Sequence, residues 1–174
     1  MIRIDSSPVT RRSALHRLAA IALGVVVVPA LATLDACADP NPRAIAYDRD
    51  ECAWCRMTVS DTRYGAVQQN AQGKQSVFDS VECLAQATLA LDGAAQAAAS
   101  TRSWVTDWQA PGTLVPASAA RYLRSDGPGS PMGKGIRAFA SVAHAEREQR
   151  RHGGVAMSWD EVLTLVGGDR ATRG

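Results

Sequence analysis

The chain has 174 residues, 46% of them hydrophobic and 21% charged, which suits one domain or two small ones and excludes disorder on a large scale. Its formal net charge of +2 lies in the first 36 residues, where Arg3, Arg11, Arg12 and Arg17 outnumber Asp5 and Asp35. The rest of the body is neutral, so it carries no basic footprint and no nucleic-acid partner is expected.

Residues 1–36 read as an export signal. Arg11 and Arg12 precede an apolar run over 18–34 that Gly24 and Pro29 interrupt. That is a charged n-region with an h-region, at the short limit for a permanent span. Thr10-Arg11-Arg12-Ser13-Ala14-Leu15 resembles a twin-arginine signal, with Ala14 where an aromatic residue is usual. Two ordinary n-region arginines remain the alternative. The run ends in Leu34-Asp35-Ala36-Cys37, which looks like a bacterial lipobox with an atypical Asp35. Cys37 would then become the acylated N-terminus, and residues 37–50 a lipidated start and tether containing Pro40 and Pro42. The expected location is periplasmic, lipid-anchored to a membrane.

Residues 52–57, Cys52-Ala53-Trp54-Cys55-Arg56-Met57, bring two thiols and a thioether together in a chain with four Cys and four Met. Thiolate and thioether are the soft donors that select Cu(I). If residues 55–57 are extended, Cys55 and Met57 share one face and Arg56 points away, with Cys52 closing over the same point. A redox C-x-x-C pair and a structural disulfide are the other readings. Setting Cys37 aside leaves Cys52, Cys55 and Cys83, an odd number that leaves one thiol unpaired in an oxidising compartment.

Arg63-Tyr64-Gly65-Ala66-Val67-Gln68 reads as a strand, Ala71-Gln72-Gly73-Lys74 as a turn, and Gln75-Ser76-Val77-Phe78 as the returning strand. Asp79-Ser80-Val81-Glu82 then has the form of a capping box, with Asp79 at the N-cap and Glu82 at N3. Val81, Leu84, Ala85, Thr88 and Leu91 follow at helical spacing, and Asp92-Gly93 ends the helix. Residues 94–100 are a small-residue connector or a continuation of the helix, and 102–108 a third strand.

The second half repeats this pattern. Arg121-Tyr122 echoes Arg63-Tyr64, and Phe139-Ala140-Ser141-Val142 echoes Phe78-Asp79-Ser80-Val81 at an offset of 61 residues. A helix over 142–151 ends at Gly153-Gly154, and Ser158-Trp159-Asp160-Glu161 caps a last helix through Val166. The alignment puts Cys83 and His144 in equivalent first turns. Cys83 reads as a small buried helix residue and His144 as a surface one. Met132 differs, because it sits in the Gly/Pro loop 126–135, flanked by Pro131 and Gly133, where a thioether can reach another module. The predicted fold is α+β with two repeated ββαβ modules, 51–110 and 111–174, after the cleaved signal.

These residues together resemble the NosL family, the accessory lipoproteins of nitrous-oxide reductase maturation. The resemblance runs through Cys37, Asp50-Glu51-Cys52-Ala53-Trp54-Cys55-Arg56-Met57, Asp61-Thr62-Arg63-Tyr64 and Phe78-Asp79-Ser80-Val81-Glu82-Cys83-Leu84. It continues through Trp104-Val105-Thr106-Asp107 and Pro131-Met132-Gly133-Lys134-Gly135 to Ala138-Phe139. The family usually has Gly where this chain has Arg56, so a side chain restricts the turn here. The resemblance implies a monomeric periplasmic Cu(I)-binding chaperone, not an enzyme, related in fold to the organomercurial lyases. It would deliver copper to the catalytic copper–sulfide centre of nitrous-oxide reductase. A membrane copper exporter would be the donor and an ABC-type maturation complex the docking partner.

The expected copper ligands are Cys55, Met57 and Met132, with Cys52 as a partner. Three readings compete with this one. The first is a thiol–disulfide oxidoreductase using Cys52 and Cys55, which lacks the usual thioredoxin-like βαβ context. The others are a lyase-like enzyme using Cys83, Cys55 and Asp79, by fold analogy alone, and a structural zinc site short of its four ligands.

Overall fold

Asn70 closes the first hairpin. Its side-chain oxygen accepts from the Gln72 and Lys74 amides at 3.1 and 2.9 Å, and Gly73 supplies the left-handed residue at φ 80°. The turn joins β1 (Ala66–Gln69) to β2 (Gln75–Phe78), which pair from Ala66 opposite Phe78 to Gln69 opposite Gln75. The computed structural model describes residues 39–91, 101–126 and 129–171. The expected signal and the lipobox Cys37 lie outside the described residues, as do the 94–100 connector and Gly127-Pro128 of the long loop.

Among the described residues the architecture is α+β, with two small antiparallel sheets and three helices. The first sheet has the order β2-β1-β3-β4, where β3 is Arg102–Thr106 and β4 is Leu114–Pro116. The second has the order β6-β5-β7, with β5 Arg121–Arg124, β6 Ile136–Phe139 and β7 Val155–Met157. The helices are α1 (Val81–Ala90), α2 (Val142–His152) and α3 (Trp159–Ala171), the last running past its expected end at Val166. In both sheets the first strand of the unit is flanked by the second and third, and a helix follows the second strand. Each unit therefore runs strand, strand, helix, strand. The short edge strands β4 and β7 were not legible in the sequence pattern.

The register corrects one expected echo. Ala66 faces Phe78 as Arg121 faces Phe139, so the counterpart of Arg121 is Ala66 and not Arg63. Tyr64 lies in the turn before β1, where its ring meets Trp108 edge-on with centroids 5.4 Å apart. Tyr122 belongs to β5.

One apolar core joins the two sheets. Val67, Val77 and Phe78 of the first sheet pack with Leu84 of α1, Val162 and Val166 of α3, and Tyr122, Ile136 and Ala138 of the second. Each large apolar side chain buried there contributes about 1.5–3 kcal/mol. The opposite face of the second sheet is covered by α2, through Leu123, Phe139 and Ala145, with Trp108 against them. All four residues of β6 are buried, Arg137 included.

Serine caps set the helix starts. Ser80 is extended (φ −156°, ψ 164°) and its side chain accepts from the Cys83 amide at 3.2 Å, so Ser80 and not Asp79 is the α1 N-cap. Cys83 thereby takes the third helical position, and Asp79 falls just outside the helix. Ser141 accepts from the His144 amide at the same 3.2 Å, so the equivalence of Cys83 and His144 holds. His144 is half-buried rather than a surface residue. The α3 box forms as expected: the Ser158 amide donates to Glu161 Oε2 at 2.6 Å and the Glu161 amide to Ser158 Oγ at 3.3 Å.

Candidate metal centre

A narrow ladder delivers the Cys-rich loop to the end of the first sheet. The Asp48 amide donates to Val59 O and the Val59 amide to Asp50 O, both at 2.9 Å, and the Cys52 amide donates to Met57 O at 2.8 Å. Inside this ladder, residues 53–55 turn, and the Arg56 amide returns to Cys52 O at 3.0 Å. The Ala53 amide reaches Val77 O at 2.8 Å and ties the turn to β2. Residues 55–57 are therefore not extended, and the expected alternation does not operate there. Cys52 is fully buried, Cys55 half-buried and Met57 56% exposed.

Arg56 absorbs the strain of the turn. Its φ of 68° lies in the left-handed region, and its amide makes the 5→1 bond of a helix-terminating turn that normally uses Gly. Its side chain pairs with Glu51 at 2.8 Å, but both groups are mostly solvent-exposed, which leaves such a pair little stabilising weight. Arg56→Gly is expected to raise the unfolding free energy by about 0.5–1 kcal/mol, since a left-handed non-glycine residue costs more than glycine's extra chain entropy. Thermal unfolding checks this, and a lowered Tm would mean that the pair with Glu51 outweighs the strain.

The loop meets the start of α1. Cys52 Sγ lies 3.4 Å from Asp79 Oδ1, and Cys55 Sγ lies 3.3 Å from Asp79 Oδ2. Cys83 completes the group: one donor atom from each of Cys52, Cys55, Asp79 and Cys83 lies within 4.8 Å of the others. All three thiols are free. Asp79 and Cys83 are both buried, so the cluster sits inside the core with Cys55 at its rim.

The thiols differ in their hold on protons. A hydrogen bond from Cys83 brings Cys52 down to about 6, with help from the Cys55, Asp79 and Trp54 amides and against the cost of burial. Cys83 is pushed up, first because it supplies that proton and then by burial. Desolvation is the main cause that raises Cys55 to about 11. Groups this close titrate as one unit. Cys52 and Cys55 each donate to one oxygen of Asp79, so the carboxylate holds the two thiols side by side.

The two methionines stand apart from this cluster in different ways. Met57 is exposed on the same loop. Met132 is 39% exposed and lines a cavity of about 540 Å3 with Glu82, Gln86, Asp126 and Lys134, whose wall contains none of the four clustered residues. His144 has its Nδ1 buried without a hydrogen-bond partner among the described residues and is not part of the cluster. The expected ligand set left out Asp79 and Cys83. The available signal was Phe78-Asp79-Ser80: with Ser80 as the cap, Asp79 falls just outside the helix and can turn towards the loop. No parallel βαβ unit surrounds Cys52 and Cys55, since every strand pair among the described residues is antiparallel.

The family model described as NosL matches residues 44–165. No curated protein matches the chain. Among solved structures, the chain is similar to the crystal structure of the copper chaperone NosL from Shewanella denitrificans, with a TM-score of 0.56 and 22% identity. The match covers 70% of this chain and 96% of that one, and at this identity it is a likeness of fold.

Proposed function

The chain belongs to the NosL family, and from that premise we propose that it is a periplasmic Cu(I) chaperone with no catalytic activity of its own. The observation that carries the proposal is the group of three free thiols and one carboxylate within 4.8 Å, with a half-buried Cys55 at its edge. Soft sulfur donors suit Cu(I), and a neutral body suits a metal carrier better than a nucleic-acid binder. Cys52 and Cys55 hold the ion, with Asp79 and Cys83 beneath them. Met57 and Met132 are the exposed thioethers through which copper arrives and leaves, because a thioether needs no deprotonation to bind.

In the fuller reading, residues 1–36 are removed, Cys37 is lipidated, and residues 37–50 tether modules 51–110 and 111–174 to the membrane as a monomer. Copper comes from a membrane exporter and passes, at an ABC-type maturation complex, to nitrous-oxide reductase during assembly of its copper–sulfide centre. The family assignment supports this reading. The lowered Cys52 pKa also suits a thiol–disulfide oxidoreductase, but the antiparallel surroundings of the pair lack the βαβ unit such enzymes use.

Anaerobic competition with a chromophoric Cu(I) chelator at several pH values tests the site. Desolvation raises Cys55 to about 11, whereas the hydrogen bond from Cys83 lowers Cys52 to about 6, so the coupled group still holds protons at neutral pH. Binding at neutral pH must then displace the Cys55 proton, so the apparent Kd should fall about tenfold per pH unit between 7 and 10. If Cys83 also ligates, a second proton is displaced and the slope doubles. An affinity independent of pH over this range would contradict ligation by Cys55.

A further inference from the structure

We propose that Cys52, Cys55, Cys83 and Asp79 also form a four-coordinate Zn(II) site, whose ion occupies the thiols until Cu(I) displaces it. The proposal rests on the chaperone reading and adds to it the metal that precedes the cargo, with Asp79 as the residue that sets the preference between the two ions.

The sequence left zinc short of a fourth ligand, and the fold supplies it. Asp79 is 3% exposed, and its carboxylate spans the two loop thiols, 3.4 Å from Cys52 Sγ through Oδ1 and 3.3 Å from Cys55 Sγ through Oδ2. Tetrahedral zinc, with sulfur at about 2.3 Å and oxygen at about 2.0–2.2 Å, sets neighbouring sulfur and oxygen donors about 3.6 Å apart and two sulfurs about 3.8 Å apart. The four side chains already bring one donor atom each within 4.8 Å of the others. A tetrahedron therefore closes on them with movements of no more than about 1 Å. The donors come from two hydrogen-bonded pieces, the 52–57 turn and the capped start of α1, and a four-coordinate ion would join them.

The donor set fits zinc better than it fits the cargo. Cys52 and Cys55 suffice to hold Cu(I), and a carboxylate oxygen is not a donor that Cu(I) selects, so copper alone gives Asp79 no bond to make. Three sulfurs and one oxygen suit a borderline ion that favours tetrahedral sites, and they exclude Ca(II) and Mg(II), which take oxygen ligands. Charge points the same way. Anionic donors buried together are costly, and a divalent ion offsets twice the charge that Cu(I) does. Cys52 and Cys83 are fully buried and Cys55 is half-buried. Closed coordination of this kind marks a zinc that holds structure, while the half-buried ligand gives an incoming ion a place to start the exchange. Zn(II) has no redox chemistry, so it would keep the three thiols from pairing in the oxidising compartment that the chaperone reading implies.

Titration of the reduced protein with Co(II), the spectroscopic stand-in for zinc, decides the matter. Wild-type protein should take one equivalent with strong tetrahedral visible bands and sulfur-to-cobalt charge transfer, and Zn(II) should bleach both. Asp79→Asn and Cys83→Ser should each weaken Zn(II) binding by at least about tenfold more than they weaken Cu(I) binding. One equivalent of Cu(I) added to the Zn(II)-loaded protein should release the zinc to a chromophoric chelator. Weakly absorbing six-coordinate Co(II), zinc retained after Cu(I) binds, or Zn(II) and Cu(I) affinities that fall in the same ratio in Asp79→Asn would each overturn the proposal. The first two are read on wild-type protein, so they decide it even where a variant fails to fold. Tetrahedral Co(II) and tight Zn(II) in a protein that binds no Cu(I) would support the zinc site and count against the chaperone reading.

Discussion

Cys55→Ser is expected to lower Cu(I) affinity by more than about 100-fold, beyond the 10–100-fold typical of groups that only support a ligand. Met57→Leu should cost less than about tenfold, on the same scale of supporting effects. The difference follows from position. Cys55 Sγ lies 3.3 Å from Asp79 and within the four-residue group, at its half-buried edge. Met57 is more than half exposed and can reach an incoming ion, but the core does not hold it in place. Serine at position 55 preserves the turn, because Ala53, Arg56 and Cys52 make its closing bonds through the backbone. Competition titration of both variants, with thermal unfolding as the control for folding, measures the contrast. Equal affinities for wild type and Cys55→Ser would remove Cys55 from the site.

Glu148→Ala is expected to destabilise the fold by about 3–5 kcal/mol, the usual effect of leaving a buried charge without its partner. The stranded group is Arg137, whose side chain is fully buried on β6 and donates to Glu148 at 2.6 Å and to Ser125. Its guanidinium also lies 5.2 Å from the centroid of the Trp108 ring, while Arg63 lies 4.9 Å from the same ring. Such contacts do not replace a counter-charge. His152, 3.5 Å from Glu148 at the end of α2, would add a second unpaired cation when protonated. For a body of this size the loss corresponds to a fall in Tm of roughly 10–20 °C. The double variant Arg137→Met, Glu148→Leu should recover most of it, since apolar replacements of a buried pair are often neutral or better. Copper affinity of the folded fraction should not change, because the pair packs on the face of the second sheet opposite the main core. A Glu148→Ala protein as stable as wild type would show that water reaches Arg137.

The parts of this molecule that were legible in its sequence are those set by local chemistry. The 71–74 turn, β2, the Phe139-Ser141 repeat and the Ser158–Glu161 box all depend on residues within a few positions of each other. Two kinds of feature were not. The three-residue strands β4 and β7 are too short for an alternation to register and exist through pairing with β3 and β5. The cap of α1 was read one residue early, at Asp79, because Asp79 and Ser80 are both good caps, and the difference decides which residues face the thiol cluster. Once Ser80 takes the cap, Asp79 joins Cys52 and Cys55, and Cys83 moves from a plain core residue to the fourth member of the group. Arg56 was legible as a departure from the family pattern, and its positive φ gives that departure a physical cost.

Copper K-edge X-ray absorption on the protein loaded with one equivalent of Cu(I) tests the central claim most directly. The account predicts a first shell dominated by two or three sulfur atoms, reduced in the Cys52→Ser, Cys55→Ser variant. A shell of nitrogen and oxygen only, or a sulfur shell that survives both substitutions unchanged, would contradict it.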